Sequence, residues 1–179
     1  MGAAKTKKIV FVCTGNTCRS PMAEVLLRAA LKNLNVKGVK VCSAGLRAKK
    51  GDTINPKSAQ VLEENGLSIG EFLSTKLTDR TVREAWAIVC MTDEQRDLLM
   101  EIRWKLLKAK GATEVENTVF SFSELTGYQI LDPYGKDIDC YRYVFKLLEA
   151  GTSALIEKFG LRALAVQPKK RGRPKKKQD

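Results

Sequence analysis

Histidine does not occur among the 179 residues. Proton transfer in any reaction this chain carries out therefore falls to a carboxylate, cysteine, lysine or tyrosine. The five cysteines are an odd number, scattered through apolar or loop positions without metal-ligand spacing, which argues against a disulfide framework and against zinc. No apolar run reaches membrane-spanning length, and the N terminus lacks the apolar segment of a signal peptide. A cytosolic protein without a membrane span is expected. Acids are in the minority, 20 against 32 lysines and arginines, for a net charge of +12. Half of that charge lies from Pro168 onward, where seven of the nine residues Lys169 to Lys177 are Lys or Arg and Asp179 is the single acid. What remains suits one compact domain with an ordinary core.

The stretch with the most chemistry runs from Val10 to Pro21, Val-Phe-Val-Cys-Thr-Gly-Asn-Thr-Cys-Arg-Ser-Pro. Ile-Val-Phe-Val before Cys13 is a continuous apolar run, as in a parallel strand covered on both faces. Ser20 followed by Pro21 gives an N-cap and a first-turn proline, so a helix is expected to open there. Loop N–H groups and the positive end of the helix dipole then converge on the Cys13 sulfur. A thiol in that setting beside Arg19 is a nucleophile held as its anion, and the planar Arg19 fork can hold two oxygens of a tetrahedral oxyanion. The Ser20 hydroxyl is placed to hydrogen-bond the thiolate. Gly15 and Asn16 tolerate the left-handed angles such a loop needs. The cradle supplies its own positive charge, so neither a metal nor a cofactor is expected.

After the loop, Met22, Leu26, Ala30 and Leu34 recur at helical spacing, and Val39 to Ser43 forms a second strand, making a right-handed βαβ unit. Leu46 to Asn55 is a polar loop, followed by a helix from Pro56 to about Asn65. Ala87 to Met91 is a third strand. Thr92 and Gln95 form a capping box for a helix carrying Leu98, Leu99, Ile102 and Leu106. Thr118 to Phe122 is a fourth strand. The last long helix starts near Asp137, with Ile138, Tyr141, Phe145, Leu148, Leu155 and Phe159 on one stripe. Strands alternating with helices predict an α/β fold, a doubly wound four-stranded parallel sheet with helices on both faces and ligand at the carboxyl ends of the strands. The expected segments are a flexible N terminus over 1–7, a domain over 8–160, and a disordered basic tail over 161–179.

Cys13-Thr-Gly-Asn-Thr-Cys-Arg-Ser-Pro-Met-Ala-Glu24, with Ser43-Ala44-Gly45 and Asp132-Pro133-Tyr134-Gly135, resembles the signature of the low-molecular-weight protein-tyrosine phosphatases, and most closely their bacterial protein-arginine-phosphatase branch. The resemblance covers about Lys8 to Phe159 and implies a phosphotyrosine protein phosphatase I-like fold. It implies Cys13, Arg19 and Asp132 as catalytic residues. Thr14, Gly15, Asn16, Thr17, Cys18, Ser20, Ser43 and Tyr134 are implied as the substrate-binding set, with Ser43 bracing Asn16. Asp132 is the acid that protonates the departing atom and then takes a proton from the water that cleaves the thiophosphate; proline after it restricts the backbone and aims the side chain.

Substrate choice rests on finer signals. Thr17 stands where many tyrosine-specific members carry a bulkier aliphatic residue, and in the arginine branch a threonine there suits the slimmer, polar phosphoguanidinium. Gly135 replaces a second aromatic residue, and no aromatic lies between Leu46 and Asn55 to flank a ring. Asp132 can also pair with a guanidinium. The expected activity is hydrolysis of phosphoarginine in proteins, with phosphotyrosine as the nearest rival. Arsenate reduction ranks lower, since Cys90 and Cys140 show no relay spacing. A DNA-tethered binder of phosphorylated proteins is the rival from another class. Thr75 stands where the family often has an arginine, and Cys18 suggests a reversible disulfide with Cys13 under peroxide.

Lys170-Arg171-Gly172-Arg173-Pro174-Lys175 resembles an AT-hook, whose Arg-Gly-Arg-Pro core enters narrow A·T-rich minor grooves. Phosphorylated proteins are thus the expected partners of the domain, and DNA or another polyanion that of the tail. A cytoplasmic monomer with nucleoid association through the tail is expected.

Overall fold

The structure is a computed structural model that describes residues 6–114 and 116–166. In chain order it contains β1 (Lys7–Cys13), α1 (Arg19–Asn33), β2 (Val39–Gly45), α2 (Pro56–Glu64), α3 (Asp79–Glu84), β3 (Ala87–Cys90), α4 (Asp93–Lys108), β4 (Val119–Ser121), α5 (Phe122–Thr126) and α6 (Ile138–Lys158), closed by a 3-10 turn over Leu161–Leu164. The four strands are parallel in the order β2-β1-β3-β4. The chain thus steps outward in one direction from β1 to β2 and then returns to build the other half. The switch point falls at the carboxyl end of β1, where Cys13 stands, the place such sheets leave a crevice for ligand.

Alternation along β1 divides the core into two layers. Ile9, Phe11 and Cys13 pack with α1, α2, α5 and α6, while Val10 and Val12 pack with α3 and α4. Ile9 through Val12 are fully buried, and each such side chain contributes roughly 1.5–3 kcal/mol by leaving water. The β1 strand is therefore a stiff base for the residue at its end.

Several elements depart from the sequence expectation. α1 begins two residues earlier, at Arg19, so Ser20 is the second helical residue and not the N-cap; Cys18 holds that position and no side chain caps it. The Ser20 hydroxyl faces Cys13 and Asn16 instead. Thr92 caps α4 through the Gln95 N–H, but the Gln95 side chain accepts from the Met91 N–H, so the reciprocal half of the expected box is not made. A complete capping box occurs at α5, between Ser121 and Glu124. Leu98 is exposed, leaving Leu99 as the buried residue of that pair. α3 and α5, six and five residues long, are too short to show a period.

The boundary expected at 160 is also corrected. Leu161 is fully buried, Ala165 bridges to Val36, and the Val166 N–H reaches the Asn35 carbonyl, so residues 161–166 pack onto the domain. At the other end β1 already includes Lys7, whose N–H donates to the Gly38 carbonyl. The AT-hook-like sequence lies outside the described residues. Among the described residues, no helix is long and apolar enough to cross a membrane.

Candidate active site

The loop from Thr14 to Cys18 joins β1 to α1 and wraps around the Cys13 sulfur. The Asn16 N–H donates to Cys13 Sγ at 3.2 Å, and Ser20 Oγ lies 3.0 Å from the same sulfur. Asn16 achieves this with φ 57°, a left-handed angle that asparagine tolerates better than most residues. Close packing holds the loop from behind. A Cβ on Gly45 would meet Thr14 O at 2.7 Å and Asn16 N at 2.9 Å, so only glycine lets β2 approach this near.

Hydrogen-bond direction around the sulfur follows from the partners. The Thr75 N–H can only donate and meets Asn16 Oδ1 at 2.7 Å, which fixes the amide so that Nδ2 faces Ser20 Oγ and Ser43 Oγ, each at 2.9 Å. Ser43 in turn donates to the Glu24 carboxylate at 2.7 Å. Both serine oxygens therefore accept from Asn16. The Ser20 proton is left to donate to Cys13 Sγ.

Among the described residues, five helices carry a side-chain cap, supplied by Asn55, Thr78, Thr92, Ser121 and Asp137; α1 has none. The first N–H groups of a helix have no partner within it. At α1 they stand beside Cys13 at the positive end of the helix dipole, an arrangement that suits an oxyanion.

Arg19 is 4% exposed and strapped to the loop after α5. Its Nη1 donates to the Ile130 carbonyl at 3.1 Å, and its Nη2 meets Asp132 Oδ2 at 2.5 Å. Nε is buried without a partner among the described residues. Guanidinium has five N–H donors, so donors remain for a phosphoryl oxygen. The other Asp132 oxygen accepts from the Tyr134 N–H at 3.2 Å, and Pro133 is buried, so the Asp132 side chain is held over Arg19 while half exposed to water. Tyr134 is 71% exposed, at the rim.

Cys13 itself is 2% exposed, at the floor of this arrangement. Cys18 is also buried and turned elsewhere: its sulfur lies 3.6 Å from Tyr141 Oη and 3.6 Å from Thr17 Oγ1. Burial pushes the Cys18 thiol up, and the same burial with Cys18 alongside pushes the Tyr141 hydroxyl up. Cys90 is fully buried in β3, which raises its thiol strongly.

The expected site residues thus come together: Cys13, Arg19 and Asp132, with Thr14 to Cys18, Ser20, Ser43 and Tyr134 around them. Two supporting residues were not assigned roles from sequence. Glu24 orients Ser43, and Gln95 Nε2 donates to Thr14 Oγ1 at 3.3 Å. Glu24 falls inside the motif and Gln95 beside a cap, but no spacing rule connects either to the loop it supports.

A family model described as low molecular weight phosphotyrosine protein phosphatase matches residues 8–165. A probable low molecular weight protein-tyrosine-phosphatase, EpsP of Ralstonia nicotianae, is 33% identical over 158 residues, covering 88% of this chain and 98% of its own. A protein-arginine-phosphatase of Geobacillus stearothermophilus is 36% identical over 151 residues, covering 84% and 95%. The crystal structure of a YwlE mutant from Bacillus subtilis superposes with a TM-score of 0.74 at 29% identity, over 86% of this chain and 99% of that one.

Proposed function

The chain belongs to the low molecular weight phosphotyrosine protein phosphatase family, a family of cysteine-dependent phosphatases, and from that premise we propose that its own substrate is phosphoarginine in proteins. The reaction runs through sulfur. Cys13 attacks phosphorus as the thiolate, the S–P bond forms, and the N–P bond to the guanidinium breaks. Asp132 gives its proton to the departing nitrogen. The Arg19 guanidinium, the loop amides and the α1 N terminus hold the three equatorial oxygens while charge accumulates. Water then attacks the thiophosphate, Asp132 takes a proton from it, and Cys13 leaves as the thiolate with the Ser20 hydroxyl donating to it. Phosphate is released.

The observation that carries the arginine reading is the Arg19–Asp132 pair. The Asp132 carboxyl group meets a guanidinium at 2.5 Å and keeps half its surface open, so while it carries the proton bound for the departing nitrogen its remaining acceptor capacity can take an N–H of the substrate guanidinium. The small polar Thr17 within the loop and the aromatic-free segment 46–55 support it, since a phenyl ring gains little there. Relative kcat/KM on matched phosphoarginine and phosphotyrosine peptides tests the proposal. Phosphoarginine is expected to lead, and Thr17→Ile to narrow or invert the ratio. A phosphotyrosine preference unmoved by Thr17→Ile would overturn it. Phosphotyrosine remains the second reading because Tyr134 stands exposed at the rim, where it can flank a ring.

For the tail, contact of residues 168–179 with DNA or another polyanion rests on the charge and on Arg171-Gly172-Arg173-Pro174 alone. Deleting those residues should abolish salt-sensitive retention on DNA and leave turnover of a small phosphorylated substrate unchanged. Retention that survives the deletion would refute it.

A further inference from the structure

The segment after β2 is anchored to the phosphate loop at both ends. The Arg47 N–H donates to the Thr14 carbonyl at 2.8 Å, and the Asn55 N–H donates to the Thr17 carbonyl at 2.8 Å. Residues 47–55 therefore arch along the edge of the site. Ser74 fixes the arch in between, its hydroxyl donating to the Lys49 carbonyl and its N–H to the Asp52 carbonyl. The backbone is held while Arg47, Lys49 and Lys50 keep exposed side chains. Two more cations stand close by. Lys76 bridges to Gly45, and Lys136 lies in the segment after Asp132, its N–H on the Pro133 carbonyl and its own carbonyl taken by Lys57 Nζ.

None of Arg47, Lys49, Lys50, Lys76 and Lys136 pairs with an acid among the described residues, so their charges are not cancelled locally. The acids within the same loops are Asp52, Glu71, Asp132 and Asp137, and Asp132 is already matched by Arg19, which leaves three acids against the five cations. The edge of the site is thus net cationic. Its charges are attached to a fixed backbone outside the phosphate loop, so they meet what surrounds the phosphoryl group and not the group itself.

We propose that this rim, with Lys49 and Lys50 at its centre, recognises acidic residues flanking the phosphorylated residue in protein substrates. The inference rests on the phosphatase reading and adds to it a preference in sequence context. Exposed ion pairs are individually weak and are screened by salt. Two such contacts amount to about a threefold to tenfold gain in kcat/KM at low ionic strength, carried mainly by association.

The test compares one phosphorylated residue in peptides with acidic, neutral and basic flanks, alongside p-nitrophenyl phosphate as a probe without flanks. Acidic flanks should raise kcat/KM about threefold to tenfold over neutral ones, and the gain should vanish near 0.5 M salt. Lys49→Glu/Lys50→Glu should reverse the order of the peptides and leave p-nitrophenyl phosphate turnover unchanged. Equal rates with acidic and neutral flanks at low salt would overturn the proposal, as would a loss of p-nitrophenyl phosphate turnover in the double variant. The phosphatase reading fails separately, if the wild type hydrolyses none of the probes. In that case the affinities of the Cys13→Ser protein for the same peptides decide the flank preference.

Discussion

The direction of the Ser20 proton makes a prediction that can be separated from general damage to the loop. Asn16 donates to both Ser20 and Ser43, so Ser20→Ala and Ser43→Ala each deprive its Nδ2 of one acceptor at a comparable structural cost. Only Ser20 also donates to the sulfur, at 3.0 Å. A hydrogen bond to a charged group contributes roughly 1.5–3 kcal/mol, which corresponds to about 10- to 150-fold in rate. The loss falls most heavily where Cys13 must depart as an anion, on hydrolysis of the thiophosphate. Rapid-mixing measurements with p-nitrophenyl phosphate should show Ser20→Ala releasing a burst of p-nitrophenol and then turning over about 10- to 150-fold more slowly than the wild type. Ser43→Ala should stay within about threefold, because the Ser20 proton still points at sulfur. Equal losses in the two variants would refute the assignment of that proton, as would a Ser20→Ala rate within twofold of the wild type.

Gly45→Ala places a Cβ against the backbone of Thr14, Gly15 and Asn16, all within 2.9 Å. The overpacking of about 1–3 kcal/mol falls on the phosphate loop, so kcat/KM should drop at least about tenfold while circular dichroism stays native. Arg103, 8% exposed, donates to the Val82 and Ala85 carbonyls and so ties α4 to the C-terminal part of α3. Arg103→Met leaves both acceptors unpartnered, and thermal unfolding should show a loss of roughly 2–4 kcal/mol with kcat nearly unchanged. At neutral pH, iodoacetamide should alkylate Cys13 first and abolish activity, with phosphate protecting it. Cys18 and Cys90, whose thiols burial pushes up, should react only as the chain unfolds, which peptide mapping resolves. Early labelling of Cys18 would contradict its placement under Tyr141.

Much of the architecture was legible because it rests on strong local signals. The Ile9 to Val12 run could only be a strand buried on both faces, and the strand–loop–helix around Cys13 follows from residue types within twelve positions. The Asn16–Ser43 contact came from the family resemblance, and no spacing along the chain would have suggested it. What escaped was set by tertiary contact. Ser20 looks like an N-cap by its neighbours, yet the sulfur and Asn16 offer its hydroxyl better partners, and α1 goes uncapped at the one end where ligand can take the place of a cap. Gln95 satisfies the capping-box pattern, but its amide turns to Met91 and to Thr14 across the sheet. Leu161 follows a helix-ending Gly160 and precedes a basic run, which made it look like tail, while its burial comes from packing on the hydrophobic cluster around α1 and α6.

The central claim is that the Cys13 sulfur itself carries the phosphoryl group. Turnover stopped within the burst and analysed by mass spectrometry of proteolytic peptides tests it directly, best in Ser20→Ala, where the intermediate should accumulate. The account predicts a phosphoryl adduct on the peptide containing Cys13, and no sustained turnover in Cys13→Ser. Sustained hydrolysis by Cys13→Ser, or an adduct on any other residue, would contradict it.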